Sequence, residues 1–341
     1  MTIRKSAFQL LLALASLAAS TAALAQPGAP AAAAASAVTA RSAAAAASVP
    51  AKAGMGTEYS AKGADTCLGC HDDESPSYSA KALFKGKHAH RGDKRSPFGA
   101  GGLQCEACHG PGAAHSAKGS KKNLTTNSFK ADSFLTVDER NQPCLGCHQD
   151  QSRNAWHGGA HDRSKVSCAD CHRMHVDRDP VLVKATQPDV CLSCHIKQRA
   201  DFQKPSAHPL RSGAMGCSDC HNAHGAGGPA MLNKPTLNQT CFSCHTDKRG
   251  PVLWEHAPVA EDCSLCHTSH GSVRAALLTK SPPLLCQQCH SSAGHPSLPR
   301  TGASLPAGGA GGSVFLVAGS CTNCHSQVHG SNHPAGAKLM R

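Results

Sequence analysis

The stretch HPLRSGAMGCSDCHNAHGAGGPAMLNKPTLNQTCFSCH, residues 208–245, contains the motif Cys-x-x-Cys-His twice. Ten such motifs use all 20 cysteines of the 341-residue chain. Residues i, i+3 and i+4 of a helical turn lie on one side, so two thiols reach the vinyl groups of one porphyrin and the histidine lies under its iron. This pattern is the signature of c-type haem attachment. The motifs therefore predict ten covalently bound haem c groups and electron transfer.

We number the motifs 1 to 10 in chain order. Each supplies two cysteines for thioether bonds, and the pairs are Cys67 and Cys70, Cys105 and Cys108, Cys144 and Cys147, Cys168 and Cys171, Cys191 and Cys194, Cys217 and Cys220, Cys241 and Cys244, Cys263 and Cys266, Cys286 and Cys289, and Cys321 and Cys324. Each also supplies a proximal histidine for the iron: His71, His109, His148, His172, His195, His221, His245, His267, His290 and His325.

Zinc sites and disulfides are the two alternative uses of so many cysteines. A structural zinc site needs a second ligand pair at a fixed distance and no histidine after every second cysteine. A disulfide framework in an exported protein would show varied spacings. The histidine follows in all ten motifs here, which favours haem over both.

The remaining histidines include enough second ligands for ten irons. Thirteen of the 23 histidines lie outside the motifs. In the three clearest repeats, 161–195, 208–245 and 256–290, one histidine precedes a first cysteine by seven to nine residues and another follows the proximal histidine by three. This rule predicts the distal ligands His88, His161, His208, His256 and His295 upstream of motifs, and His115, His175, His224, His270 and His329 downstream.

Two choices within that set stay open. His90 and His157 are alternatives to His88 and His161, and His333 is left over as a surface residue. Met174, Met215 and Met231 are alternative axial ligands, although packing is the favoured interpretation. A histidine three residues after a proximal one is too close to reach the opposite face of its own porphyrin. His175, His224 and His270 are therefore expected to bind neighbouring haems.

The first 25 residues resemble an export signal. Arg4 and Lys5 precede an apolar run from Phe8 to Ala25, which ends in Ala-Leu-Ala before Gln26. This order predicts a secretory signal peptide over residues 1–25, with an uncleaved anchor as the alternative. Residues 26–56 are rich in alanine and proline, which predicts a disordered linker. No later segment approaches the ~20 apolar residues of a spanning helix, so we expect a periplasmic protein.

Composition predicts the fold class. Aromatic residues are only 4% of the chain, whereas glycine and proline number 32 and 21. We therefore expect a multihaem cytochrome c with little regular secondary structure, in which short α-helices and loops wrap around an elongated ten-haem array. The net charge of +12 is offset by haem propionates, so it does not indicate binding to nucleic acid.

Three local strings resemble the MtrA/DmsE family of periplasmic decahaem cytochromes, which includes PioA-type proteins. They are DKRSPF at 93–98 before CEACHGPG at 105–112 and His115, WHGGAH at 156–161, and CTNCHSQVHGSNHP at 321–334. The resemblance implies two pentahaem halves, residues 57–200 and 201–341, with every iron bound by two histidines. It further implies insertion into an outer-membrane β-barrel porin, with an outer-surface multihaem cytochrome or terminal reductase and periplasmic or inner-membrane cytochromes as redox partners. The alanine-rich arm and a glycine-rich insert at 308–312 depart from the family pattern.

The favoured function is an electron carrier without a substrate site, acting as a conduit between periplasmic carriers and the cell exterior. The alternatives are a multihaem reductase of a small oxyanion such as nitrite, and a free periplasmic shuttle. A reductase needs an iron with an open position, often marked by lysine in place of the motif histidine, and all ten motifs here end in histidine. The direction of electron flow stays open among metal reduction, sulfoxide respiration and iron oxidation.

Overall fold

The regular elements are short throughout the part of the chain that the computed structural model describes, which is residues 56–71, 80–117, 127–150, 153–291 and 320–340. The α-helices are Ala64–Leu68, Glu106–His109, Ala113–Ser116, Val137–Leu145, Ala160–Arg163, Cys168–Cys171, Gln187–Leu192, Ile196–Asp201, Leu237–Cys241 and Ala257–Glu261. The 3-10 turns are Ala80–Lys85, Lys87–Ala89, Pro180–Leu182, Cys217–Asp219, Pro229–Met231, Thr246–Lys248, Cys263–Leu265, Ala275–Leu277, Cys286–Gln288, Cys321–Asn323 and Gly336–Lys338. The expectation of little regular secondary structure is confirmed.

The described strands form one small antiparallel sheet. Ser206–Ala207 pairs with Gly271–Ser272, with Ser206 opposite Ser272 and Ala207 opposite Gly271. The pairing joins a segment just before motif 6 to a segment just after motif 8, so it connects parts of the chain that are distant in sequence.

Local capping explains where helices begin. The helix Val137–Leu145 starts at Thr136, whose hydroxyl accepts from the Glu139 amide at 3.3 Å, while the Glu139 carboxylate accepts from the Thr136 amide at 2.7 Å. A related cap begins the helical turn Cys168–Cys171, where the Ser167 hydroxyl accepts from the Ala169 amide at 3.3 Å and the Asp170 carboxylate accepts from the Ser167 amide at 2.7 Å. A capping box satisfies two free amides of the first turn, so each cap fixes the turn that carries the motif after it.

Buried amide side chains hold neighbouring motifs together. The Asn141 Oδ1 atom accepts from the Cys168 amide at 2.8 Å, and Asn141 Nδ2 donates to the Val166 carbonyl at 3.3 Å. Asn238 repeats this arrangement with the Cys263 amide, also at 2.8 Å. Each asparagine stands three residues before the first cysteine of an odd-numbered motif and fixes the first cysteine of the next motif. Both are buried, with 2% and 7% of their surface exposed.

The loops that follow motifs 6 and 8 have the same hydrogen bonds. After motif 6 the Asn222 amide donates to the Met231 carbonyl, and after motif 8 the Thr268 amide donates to the Leu277 carbonyl, both at 2.8 Å. In each loop a second bond returns to the carbonyl of the second cysteine, from Asn233 to Cys220 and from Thr279 to Cys266. The sequence repeat is therefore also a structural repeat.

Several predicted segments lie outside the described residues: 1–25, 26–55 and the insert at 308–312. All the described residues belong to one compact unit, and the boundary between pentahaem halves near residue 200 stays a prediction. Among the described residues, no helix has both the length and the apolar character to cross a membrane.

Candidate haem sites

Each Cys-x-x-Cys-His motif forms the same tight turn. In all ten motifs the amide of the proximal histidine donates to the carbonyl of the first cysteine, at 2.8–3.1 Å. All twenty thiols are free. The turn therefore holds two unbonded thiols and one imidazole within a single turn of backbone, as covalent haem attachment needs.

Nine of the ten proximal imidazoles face a second imidazole. The ring centroids of these pairs are 5.8–6.4 Å apart, and the pairs are His71 with His115, His109 with His175, His148 with His88, His172 with His224, His195 with His161, His221 with His270, His245 with His208, His267 with His329, and His290 with His256. A metal–imidazole bond is about 2.0 Å long, so two imidazoles on opposite faces of one iron hold their ring centroids roughly 6 Å apart. The spacing therefore fits haem iron between the rings.

The nine partners are nine of the ten histidines predicted as distal ligands. The tenth, His295, lies outside the described residues, so its role at the iron of His325 stays a prediction. His88 rather than His90 faces His148, and His161 rather than His157 faces His195. His90 and His157 are exposed. The pairing supports the predicted ligand set, while iron ligation itself stays a prediction.

The pairs follow a rule that the sequence did not reveal. A histidine downstream of an even-numbered motif faces the proximal histidine that lies two motifs earlier in the chain. A histidine upstream of an even-numbered motif faces the proximal histidine of the motif that comes next after it. At the N-terminal end, where no earlier motif exists, His115 instead faces His71 of motif 1. The segments around motifs 2, 4, 6 and 8 therefore each take part in three sites.

Hydrogen bonds through Nδ1 orient many of these rings. The proximal bonds run from His109 to the Asn127 carbonyl, His172 to the Asp179 carboxylate, His221 to the Ala230 carbonyl, His267 to the Ala276 carbonyl and His325 to the Lys338 carbonyl. The distal bonds run from His161, His208 and His256 to the carbonyls of Ala223, Ser269 and Val328, each 2.8 Å long. Each acceptor assigns the proton to Nδ1, which leaves Nε2 free for a metal.

The three distal bonds also connect successive repeats. Ala223, Ser269 and Val328 each directly precede a downstream histidine, namely His224, His270 and His329. An upstream histidine of one repeat therefore fixes the backbone that carries the downstream histidine of the next. Sequence reasoning missed these acceptors because main-chain carbonyls have no sequence signature.

Burial favours the ligating form of several imidazoles. Desolvation lowers the pKa of His88, His109, His148, His224, His270 and His329, because burial disfavours the charged ring. A neutral imidazole is the form that binds a metal. Two proximal and four predicted distal histidines are therefore biased toward ligation.

The cysteines bring successive motifs into contact. The first cysteines lie close enough to interact electrostatically in five pairs, Cys67 with Cys105, Cys144 with Cys168, Cys191 with Cys217, Cys241 with Cys263 and Cys286 with Cys321. These sulfurs stand for thioether sulfurs of the haem-bound protein, so their closeness is the property that matters. The five pairs join motif 1 to 2, 3 to 4, 5 to 6, 7 to 8 and 9 to 10.

The second cysteines make the alternate connections. Burial, and to a smaller extent the charge of Cys147, raises the pKa of Cys108. Electrostatic interactions of the same kind relate Cys171 to Cys194, Cys220 to Cys244, and Cys266 to Cys289. These four interactions relate motif 2 to 3, 4 to 5, 6 to 7 and 8 to 9. With the five first-cysteine pairs they form an unbroken series through all ten motifs.

Comparison with known families identifies the repeated unit. The doubled CXXCH motif family matches residues 208–250 and 256–295. The family described as cytochrome c-type protein NrfB-like matches residues 105–186. The protein is therefore a multihaem c-type cytochrome that binds haem covalently and transfers electrons.

Individual relatives agree with this assignment. The chain is 51% identical over 283 residues to the multiheme cytochrome MtrA of Shewanella baltica, covering 83% of each protein. It is 28% identical over 149 residues to the cytochrome c-type protein NrfB of Escherichia coli, covering 42% of this chain and 72% of NrfB. It is 24% identical over 204 residues to the C-type polyheme cytochrome OmcB of Geobacter sulfurreducens, covering 54% of this chain and 25% of OmcB.

Proposed function

This chain belongs to the family of multihaem cytochromes that includes MtrA, and from that premise we propose that it carries ten haem c groups as one continuous electron conduit. The unbroken series of electrostatically interacting cysteine pairs from motif 1 to motif 10 carries the proposal, because it indicates that every attachment site lies near the following one. When bound, each haem supplies an iron that takes up or releases one electron.

The proposed ligand set follows from the paired rings. The cysteines of each motif would hold one haem, with the motif histidine on one face and the paired histidine on the other. His295 would complete the tenth site at His325. Two histidines leave no open position on an iron, so the protein has no substrate site and acts as a carrier. The lack of an open iron position distinguishes the proposed carrier from an oxyanion reductase.

The proposed setting follows the family resemblance and the N-terminal sequence. A signal peptide over residues 1–25 would deliver the protein to the periplasm. An outer-membrane porin would insulate the haem array from lipid, because loop backbone cannot face hydrocarbon. Electrons would pass between periplasmic or inner-membrane cytochromes and an outer-surface cytochrome or reductase, in metal reduction, sulfoxide respiration or iron oxidation.

The conduit is tested by electron transfer across a membrane. The protein and a candidate porin are rebuilt into liposomes that contain a reducible dye, and reductant is added outside only. The dye should be reduced when both components are present and should stay oxidised with either alone. Failure of the two proteins to co-purify, together with absence of dye reduction, would leave a free periplasmic shuttle as the function.

The ligand set is tested separately by spin state. The intact mass should equal the chain from Gln26 plus ten haems, and the ferric protein should be low-spin. The substitution His224→Ala should open one iron, that of motif 4, because His224 faces His172. His157→Ala is the matched control, since His157 is exposed and should leave the spectrum unchanged. A high-spin signal in the unaltered protein, or rapid nitrite turnover, would favour the reductase.

A further inference from the structure

One proximal histidine differs from the others in its Nδ1 acceptor. The rings of His109, His221, His267 and His325 donate to backbone carbonyls, whereas His172 donates to the Asp179 carboxylate at 2.8 Å. We propose that Asp179 is a positioning residue that tunes the haem of motif 4, setting its reduction potential below those of the motif 6 and motif 8 haems. The inference rests on the axial ligation described under the proposed function.

The loops after motifs 4, 6 and 8 occupy the same place in the repeat, so they can be compared position by position. Seven residues after the proximal histidine stand Asp179, Gly228 and Arg274, respectively. In the loops of motifs 6 and 8, the imidazole donates to the carbonyl nine residues after it, that of Ala230 or Ala276. The carbonyl of the next residue accepts from the amide that follows the histidine.

In motif 4 the carboxylate of Asp179 accepts both hydrogen bonds, the one from the imidazole and the one from the amide that follows the histidine. Asp179 Oδ2 accepts from His172 Nδ1, and Asp179 Oδ1 accepts from the Arg173 amide at 3.2 Å. The Val181 carbonyl, at the position of Ala230 and Ala276, instead accepts from Gln187 Nε2 at 2.8 Å. The contact is therefore built into this loop, because the carbonyl at the position of the usual ring acceptor has a different partner.

The backbone conformation changes together with the acceptor. In motifs 6 and 8 the two carbonyl-bearing residues have left-handed conformations, with φ of 50° and 56° at Ala230 and Met231 and 53° and 57° at Ala276 and Leu277. Neither Val181 nor Leu182 has a positive φ. The carboxylate thus replaces a backbone arrangement that side-chain-bearing residues rarely adopt.

The carboxylate acts on the ring from a protected position. The Asp179 side chain is 8% exposed, and among the described residues no lysine or arginine forms an ion pair with it. Little solvent therefore screens its interaction with the ring. A carboxylate attracts the Nδ1 proton more strongly than a carbonyl does and makes the imidazole a stronger donor to a metal. A stronger donor stabilises ferric iron relative to ferrous iron.

A lower potential at motif 4 makes electron transfer to that haem unfavourable relative to the haems of motifs 6 and 8. Reduction at this site adds one electron from a one-electron donor, while the proton stays between His172 and Asp179. Because that added electron is less stable here than at motifs 6 and 8, reducing equivalents collect on other haems when the array is partly reduced. Asp179 would thus influence where electrons reside along the conduit.

The test is a spectroelectrochemical titration of the holoprotein with the substitution Asp179→Asn. One redox couple should shift to a more positive potential while the other couples stay in place, and one low-spin EPR signal should change with it. His224→Met, which alters the opposite ligand proposed for the same haem, assigns that couple to motif 4. Asp179→Glu keeps a carboxylate and should restore the lower potential in part.

Asp177→Asn is the matched control for charge. It removes a negative charge two residues away, and its carboxylate is exposed and bonds to Lys85 at 2.8 Å. If Asp179→Asn retains all its haems in the low-spin state and no couple shifts, or if Asp177→Asn causes the same shift, the tuning role is wrong while the ligand set stands. If the unaltered protein shows a high-spin iron at motif 4, the ligand set fails first, and the tuning role fails with it.

Discussion

At the residue scale, glycine sets how closely one repeat approaches the next. Gly225 directly follows His224 and has φ of +107°. A Cβ atom at this position would collide with the Ala155 carbonyl. Gly271 and Gly330 occupy the same place after His270 and His329, where a Cβ would contact the Asp201 and Trp254 carbonyls. Three of the five downstream histidines are thus followed by a glycine whose Cβ would meet a backbone carbonyl of another segment.

We expect Gly225→Ala to displace His224 from His172. The substitution combines a left-handed backbone with a carbonyl collision, so it should cost about 1–3 kcal/mol in the free energy of unfolding. The spectrum should gain a partial high-spin signal from one haem, measured by EPR and by cyanide binding. Gly227→Ala is the control, because no heavy atom lies within 4 Å of a Cβ there. Equal melting temperatures and spectra for the two variants would contradict this account.

The residues that bind haem could be predicted from sequence, whereas those that orient the ligands could not. A cysteine pair and a following histidine form a local pattern with one spacing, so all ten attachment sites could be identified. Asp179 and Asn238 act on partners 7 and 25 residues away through single hydrogen bonds. The position of Asn238 recurs at Asn141, but the sequence does not show which group either amide bonds to, and carboxylates and amides are common in loops. Only the folded chain identifies their partners.

At the scale of elements, short capped turns depend on buried amides between them. Asn238 lies in the helix Leu237–Cys241, and its side chain contacts the Val259 carbonyl and the Cys263 amide. Deleting the amide would leave these partly buried groups without this partner. A buried unsatisfied group costs about 1–3 kcal/mol, which exceeds the weak helix propensity of a five-residue helix.

The substitution Asn238→Ala should therefore lower the free energy of unfolding by about 1–3 kcal/mol. The loss should appear as a lower melting temperature and as faster amide exchange around Cys263. Gln239→Ala changes the neighbouring residue of the same helix, which is exposed, and should have little effect. If both variants have the same melting temperature, the hydrogen bonds of Asn238 between motifs 7 and 8 are not important for stability.

The paired rings fall into two classes by the angle between their planes. Five pairs are close to parallel, at 5–30°, and four are strongly tilted, at 56–68°. Parallel imidazoles donate into the same iron d orbital and separate it in energy from its neighbour, whereas crossed imidazoles leave the two orbitals nearly equal. The EPR spectrum of a low-spin ferric haem depends directly on that separation.

We therefore expect two kinds of low-spin EPR signal from the oxidised protein. Of the nine haems with described ligand pairs, five should give rhombic spectra and four should give spectra with a single large g value. His224→Ala should remove one rhombic signal only, because its pair with His172 has an interplanar angle of 5°. Loss of a large-g signal instead would show that His224 does not face the iron of motif 4.

At the scale of the whole molecule, sequence predicted the fold class but not the path of the chain. Low aromatic content and one repeated motif were enough to predict a haem-centred protein with little regular structure. The pairing of downstream histidines was not predictable, because each lies in a different repeat from its partner, as with His329 and His267. The separation between them depends on how repeats pack, and that packing depends on carbonyls and glycines.

The same shortage of core material predicts that the haem-free chain does not fold. Among the described residues, the buried apolar set is small: Ala64, Ala82, Ala89, Phe98, Leu135, Trp156, Phe202, Leu210 and Leu232. A chain of this length normally needs a much larger apolar core to offset the entropy of ordering its backbone. The apolar surface of the porphyrins would supply the missing core and its folding free energy, as a bound metal supplies folding free energy in small metal-dependent domains.

Protein made in cells without haem attachment should therefore be expanded, with rapid amide exchange and a radius of gyration typical of an unfolded chain. The holoprotein is the control and should be compact under the same buffer conditions. The double substitution Cys241→Ala and Cys244→Ala gives an intermediate test, because the loss of one haem should weaken protection most in motifs 6 to 8, which contact motif 7 directly. A compact haem-free protein with protected amides would contradict this view, since the polypeptide would then supply its own core.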